Sequence, residues 1–434
     1  MKVTTTRSTN YFKQVKGAAI YKAGAIVCTF ASIPIMIKYL GVELFGVWST
    51  MLTMITWVMM FDLGVGNGLK NKISESLADK NSDKAAQFIS TAYVFIGLIA
   101  IFFFAVLFSV SIFIPWQSVF NTTEVPENSL RASVILLGFF VFFNFWISLV
   151  GQIYHGLQKS SYVIFGQFIS NLLALIFVII LYYVSEVSIA KIVVAYGLAL
   201  VSSNVLLSSL VFSSNKELLP KLHLFKRHYV SPLLSLGLKF FVIQIAVIVI
   251  FMTDKIIITQ LLGPSQVTSY EVVFKLFSVL TILHSLILVP VWPAYSNAYA
   301  QGDYNWIRTT LRHQVAIAVV LFCGAVLLSL LGPFVIRLWI GTDLAINPSL
   351  YYMLVGFIIV SVWSNVFAYF VNAINMVKVQ LYTSITAAII NIPMSIFFVS
   401  YLNMGLTGIV LATTMSLSIF AIAGPIQVYR ILKQ

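Results

Sequence analysis

The sequence predicts an all-α integral membrane protein of about 12 transmembrane helices in two pseudo-symmetric six-helix lobes, with both termini on the cytoplasmic side. Three observations predict it: composition, an internal repeat and the placement of positive charge. Of 434 residues, 60% are apolar and 9% charged, and mean hydropathy is +0.98. A soluble domain is about half apolar and about a quarter charged. Leu40-Gly41, the aromatic Phe45-Gly46-Val47-Trp48, an apolar run to Asn71 and the polar stretch from Ser76 to Lys84 form one block. It returns as Leu262-Gly263, Val267-Thr268-Ser269-Tyr270, a second apolar run and the polar stretch from Ala298 to Trp306, so that Gly263 stands where Gly41 stood. An offset of about half the chain marks two fused copies of one unit.

The apolar runs place spans at 17–39, 44–68, 86–114, 132–156, 160–184, 188–212, 233–261, 266–297, 313–340, 350–374, 376–401 and 405–429. Loops on one side then hold eighteen lysines and arginines, while the other side holds Lys38, Arg131, Lys191 and Arg337. The positive-inside rule puts the rich side, and both termini, in the cytoplasm. With six spans per half, the repeat is parallel, its axis along the membrane normal. The lobes are residues 1–212 and 233–434, joined by a basic linker at 213–232 that suits anionic headgroups or plain solvent equally. The stretch from Met1 to Lys16 is polar and basic without an apolar cleavable segment, so the first span is expected to target the chain. A net charge of +13 dispersed over short loops reads as membrane orientation and excludes nucleic acid as a partner. Prolines at Pro34, Pro290, Pro293, Pro393 and Pro425 permit kinks, which a bilayer tolerates where neighbours satisfy the freed carbonyl. Cys28 and Cys323 lie in apolar runs, where a thiol packs as a small hydrophobe.

Lys22, Asp62, Lys239, Asp254, Lys255, Glu271 and Lys275 fall inside the spans. Facing lipid, each would cost about 2.5 to 3.5 kcal/mol at the bilayer centre, so each must pair, face a wet interior or snorkel. Lys22 and Lys239 are near enough to a span end to snorkel. Asp254 and Glu271 flank the turn at Gly263 at matching depth, forming one charged layer with Lys255, and Lys275 stands four residues beyond Glu271, where an intrahelical ion pair is expected. The layer reads either as a self-neutralised network between spans or as a lining of the transport path. Asp62 plus the repeat offset is His284, which places an acid and an imidazole at equal depth in opposite lobes; a lone histidine in a span reads first as a hydrogen-bonded packing residue and second as a proton site. Nothing in the chain has the spacing of a catalytic triad, a metal site or a phosphate loop, so no enzyme and no cofactor is expected. Gly64-Val65-Gly66-Asn67-Gly68 lacks the flanking strand and lysine of a P-loop and reads as close packing or a bend.

At Phe61-Asp62-Leu63-Gly64-Val65-Gly66-Asn67-Gly68-Leu69-Lys70-Asn71-Lys72, and again from Met252-Thr253-Asp254-Lys255 through Leu262-Gly263-Pro264 to Pro290-Val291-Trp292-Pro293-Ala294-Tyr295, the chain resembles bacterial O-antigen flippases of the Wzx type. These form the polysaccharide-transporter branch of the multidrug/oligosaccharidyl-lipid/polysaccharide (MOP) superfamily. The resemblance covers nearly the whole chain. It implies a V of two six-helix lobes around a central cavity, location in the bacterial inner membrane, and export of an undecaprenyl-pyrophosphate-linked oligosaccharide to the periplasmic leaflet by alternating access. It implies Lys22 and Lys275 as headgroup contacts by placement, with Lys239 and Lys255 as further candidates. Asp62, Asp254, Glu271 and His284 are the candidates for coupling or gating, with proton or sodium as the coupling ion. A polysaccharide polymerase and a chain-length regulator are the candidate protein partners, and membrane lipids the surroundings. A multidrug cation antiporter of the same fold, and a membrane polymerase or ligase, are the alternative readings.

Overall fold

The computed structural model describes residues 2–60, 65–234 and 253–433. Every regular element among them is helical. The elements are α1 (Lys2–Met60), α2 (Val65–Ala78), α3 (Ser82–Ser111), the short α4 (Trp116–Phe120), α5 (Glu127–Ile147), α6 (Leu149–Gly156), α7 (Ser161–Val184), α8 (Ile189–Ser214), α9 (Asp254–Leu262), α10 (Pro264–Ala300), α11 (Tyr304–Ile340), α12 (Ser349–Ala373), α13 (Lys378–Ser400) and α14 (Leu406–Lys433). Ten helices among the described residues are long and apolar enough to cross a membrane. The first of them runs through two of the expected spans, and the expected span 233–261 falls largely outside the described residues.

The chain divides into two compact units, residues 1–244 and 245–434. The repeat shows in backbone detail. Gly41 breaks α1 with φ 79°, ψ 172°, and Gly263 opens α10 with φ 91°, ψ 160°. That region is closed to residues with a Cβ, so the glycine that recurs in sequence recurs because both copies turn the chain the same way there. The polar loops agree as well. Asn81 caps α3 by accepting from the Lys84 amide at 2.9 Å, and Asp303, its counterpart in the second copy, caps α11 by accepting from the Trp306 amide at 3.0 Å. An Asn or Asp at that position satisfies one of the amides a helix start leaves open.

In the first unit the core is built by α2, α3, α5 and α6, through Leu69, Ile73, Phe88, Ile89, Ile96, Phe145 and Ile153. Gly68 is where the close-packing reading of the glycine run holds: a Cβ there would stand 2.3 Å from the carbonyl oxygen of Leu233. The basic linker is three 3-10 turns, Lys216–Leu218, Leu222–Leu224 and Arg227–Tyr229, and it is seated on α3. The Lys221 amide donates to Ser90 Oγ at 3.0 Å, the Lys226 amide donates to Thr91 Oγ1 at 3.1 Å, and Tyr229 stacks on Phe88. In the second unit α12 is the central helix, burying Leu350, Leu354, Val362, Val366 and Phe370, and the Trp363 indole donates to the Ala421 carbonyl of α14 at 2.9 Å. With lipid as apolar as the helix surfaces, such packing and interhelical bonds are what hold a bundle together.

Candidate functional site

Each unit carries a polar site inside otherwise apolar helices. In the second, Asp254 stands in the first turn of α9, only 3% exposed. Its carboxylate accepts from the Tyr270 hydroxyl of α10 at 3.1 Å and from Thr413 Oγ1 of α14, which lies 3.2 Å from both oxygens. Asn391 of α13 donates to that same Thr413 oxygen at 3.1 Å. Four helices therefore converge on one acid. Around it the Asn391 carbonyl oxygen and the hydroxyls of Ser395 and Ser416, one turn further along α13 and α14, are buried with no hydrogen-bond partner among the described residues. Asp254 forms no ion pair among the described residues. A buried carboxylate surrounded by hard oxygen donors is an arrangement that accepts a proton or a small hard cation.

Beside it, Lys255 Nζ lies 2.7 Å from Glu271 Oε2, both side chains mostly buried. This corrects the expected pairing. Glu271 takes its partner from α9, across the Gly263 turn, and not from Lys275 on its own helix; Lys275 has no carboxylate oxygen within 4.0 Å among the described residues. The physical reason is the turn itself, which brings residue 255 beside residue 271 at the depth their spacing from Gly263 implies. His284 is 1% exposed, and neither ring nitrogen has a hydrogen-bond partner among the described residues. Asp62 and Lys239 lie outside the described residues.

In the first unit a cavity of about 420 Å³ opens between α5, α6, α7 and α8, lined by Asn144, Ser148, Gln152, His155, Gln167, Ser170, Asn171, Ser203 and Asn204 among others. Amides and hydroxyls dominate its polar lining, and no carboxylate belongs to it among the described residues. Asn204 Nδ2 donates to Asn144 Oδ1 at 2.7 Å, and Asn171 Nδ2 to Thr29 Oγ1 at 3.1 Å. Lys22 of α1 reaches its edge, donating to Gln167 Oε1 at 3.3 Å. Of the predicted residues, then, Lys22 borders this cavity, while Asp254, Lys255 and Glu271 gather around the start of α9. Sequence reasoning missed Asn391, Thr413, Tyr270 and the amide lining, because uncharged polar residues carry no penalty large enough to stand out in an apolar run. One signal was available. Asn171 and Asn391 are separated by nearly the repeat offset, sit on corresponding helices and both reach a threonine, whereas Asp254 minus that offset reads back to Ser32, so the acid belongs to one copy alone.

The family model described as polysaccharide biosynthesis protein matches residues 17–298. The chain belongs to this family. A second model, MatE, matches residues 240–397. Among curated relatives, a protein of Salmonella typhimurium named as an O-antigen transporter is 25% identical over 90% of this chain and 89% of its own length. One of Yersinia pseudotuberculosis named as an O-antigen export protein is 23% identical over 89% and 88%. Among solved structures, an inward-facing multidrug-resistance MATE transporter of the MOP superfamily aligns with a TM-score of 0.75 at 14% identity, over 96% of this chain and 98% of that one. The fold is thus the MATE fold.

Proposed function

We propose that this member of the polysaccharide biosynthesis family is a flippase, a transporter and not an enzyme, that moves an undecaprenyl-pyrophosphate-linked oligosaccharide, an O-antigen or similar repeat unit, from the cytoplasmic to the periplasmic leaflet of the bacterial inner membrane by alternating access. The amide and hydroxyl lining of the first-unit cavity carries this reading. A sugar chain crossing hydrocarbon loses its water, and each unreplaced hydrogen bond costs several kcal/mol, about 4 to 8 on a cyclohexane scale. Uncharged donors and acceptors in a membrane-embedded cavity replace those bonds without binding so strongly as to hold the cargo. Lys22 at the cavity edge is the cation for the pyrophosphate in the first unit, making charge-assisted hydrogen bonds to phosphate oxygens, and Lys275, without an ion pair among the described residues, is the candidate cation of the second unit. Lys255 is neutralised by Glu271 and serves the fold. Asp254 holds the coupling ion, proton or sodium. A multidrug cation antiporter of the same fold needs carboxylates facing its cargo, and the first-unit cavity has none among the described residues of its lining.

In a clean chromosomal deletion, surface polysaccharide is expected to disappear while lipid-linked repeat units accumulate on the cytoplasmic leaflet. Wild-type protein restores export. A variant carrying Asn204→Leu with Gln152→Leu, which inserts normally, does not. Normal surface polymer in the deletion strain, with no second flippase present, overturns the reading.

A further inference from the structure

In the first unit, a groove of about 700 Å³ runs between α3 and α5 and is closed at one end by the linker turn Pro220, Lys221 and Leu222. Its walls are apolar and aromatic, including Val94, Phe104, Phe139, Phe143 and Trp146. Leu98 and Ile101, on the same wall, are 62% and 69% exposed. A lipid-facing surface is ordinarily apolar, but this one is concave and its closed end is polar. Lys221 is held there because its own amide is bonded to Ser90 Oγ, leaving the side chain exposed at the mouth. One turn along α3 from Ser90, Tyr93 also lines the groove, 6% exposed, and its hydroxyl has no hydrogen-bond partner among the described residues. The neighbouring linker adds Lys216, Lys226 and Arg227 against a lone acid, Glu217.

We propose that this groove is a binding site for an anionic phospholipid of the leaflet that meets the linker, with its phosphate at Lys221, a polar head oxygen accepting from Tyr93, and an acyl chain along Gly97, Phe104, Phe139 and Trp146. Charge complementarity selects the anionic headgroup, since each lysine near a membrane surface attracts anionic lipid. Length selects a phospholipid over the polyprenyl tail of the cargo. From Ser90 to Phe104 the wall extends about 21 Å, comparable to the roughly 15 Å hydrocarbon depth of one leaflet, and an undecaprenyl tail is much longer. Such a lipid clamps the linker to α3 and ties that seat to membrane composition. The site depends only on the chain spanning a bilayer, so it stands whether or not the cargo is a lipid-linked sugar.

Tryptophan quenching by lipids brominated on their acyl chains tests this, with full-length protein in phosphatidylcholine vesicles containing phosphatidylglycerol. The bromine is carried by one lipid or the other at equal mole fraction, and Trp146→Phe supplies the signal to subtract. The Trp146 signal is expected to favour brominated phosphatidylglycerol by about fivefold, the weight of one lysine near an anionic surface. Lys221→Gln removes most of that preference and Tyr93→Phe part of it; both retain the wild-type far-ultraviolet circular dichroism, because Lys221 anchors the linker through its backbone. Equal quenching by the two lipids, or a preference unchanged in Lys221→Gln, overturns the proposal. Displacement of brominated phosphatidylglycerol by stoichiometric polyprenyl phosphate also overturns it, by assigning the groove to the cargo.

Discussion

Glu271 has two lysines within reach along the chain and pairs with the one that is not on its own helix. Lys255 and Glu271 are mostly buried and 2.7 Å apart, so truncating either strands an opposite charge. Each single change, Lys255→Ala or Glu271→Ala, is expected to destabilise by about 3 to 5 kcal/mol, and the double change by clearly less than the sum. Lys275→Ala, by contrast, should cost much less stability, since Lys275 makes no ion pair with Glu271 within 4.0 Å, and should lower binding of lipid-linked pyrophosphate. Thermal unfolding in detergent and a glycolipid binding assay separate the two roles. A second test addresses Asp254. If sodium is the ion that Asp254 holds, saturating sodium should raise the wild-type melting temperature, with about 2.7 kcal/mol of stabilisation at 100 times Kd; no shift assigns the site to the proton. Asp254→Asn should abolish that shift, and acid should shrink it, since a proton competes for the same carboxylate. The charges of this cluster were legible in sequence because each is conspicuous in an apolar run. Tyr270, Asn391 and Thr413 were not: their meeting spans up to 159 positions, and no local pattern encodes it. The i, i+4 spacing of Glu271 and Lys275 gave the wrong partner because helical spacing knows nothing of the neighbouring helix across Gly263.

At the level of elements, the repeat was the most legible feature, and the structure shows what it consists of. Gly41 and Gly263 recur because a shared turn needs a conformation open to glycine alone, and Asn81 and Asp303 recur because two helix starts need the same cap. Gly41→Ala and Gly263→Ala should each cost about 1 to 3 kcal/mol through backbone strain, since among the described residues nothing lies within 4 Å of either added Cβ to add a clash. Asn81→Ala and Asp303→Ala should each cost about 1 kcal/mol, read as a lowered melting temperature. Other element features stayed hidden. The basic linker suits anionic headgroups or plain solvent equally by sequence, and what the sequence did not show is that three short turns bonded to Ser90 and Thr91 hold it to the first unit. Those two acceptors are ordinary residues of an apolar helix, and only the packed unit reveals their use.

At the scale of the whole molecule, the proposed flippase function requires a driving force for net export. An interior-negative potential favours outward movement of an anionic headgroup by about 2.3 kcal/mol per charge per 100 mV, enough to drive export if the headgroup crosses uncompensated. In the proposed function, a lysine bound to the headgroup, Lys22 or Lys275, reduces the charge that moves, and with it the contribution of the potential. An ion returning inward must then supply the difference. Asp254 is suited to bind it: it is buried, without an ion pair among the described residues, and its hydroxyl and amide neighbours can hold either its proton or a hard cation. Flipping of lipid-linked oligosaccharide in reconstituted vesicles should therefore accelerate when an inward proton or sodium gradient is imposed. Asp254→Asn should flip at one rate with or without the gradient, while still binding glycolipid. Because the asparagine keeps the size of the side chain and can still accept from Tyr270 and Thr413, loss of the response with retained folding assigns coupling to the charge. If wild-type vesicles flip equally under either gradient and under none, the protein is an uncoupled facilitator, and polymerisation on the far side pulls the substrate across.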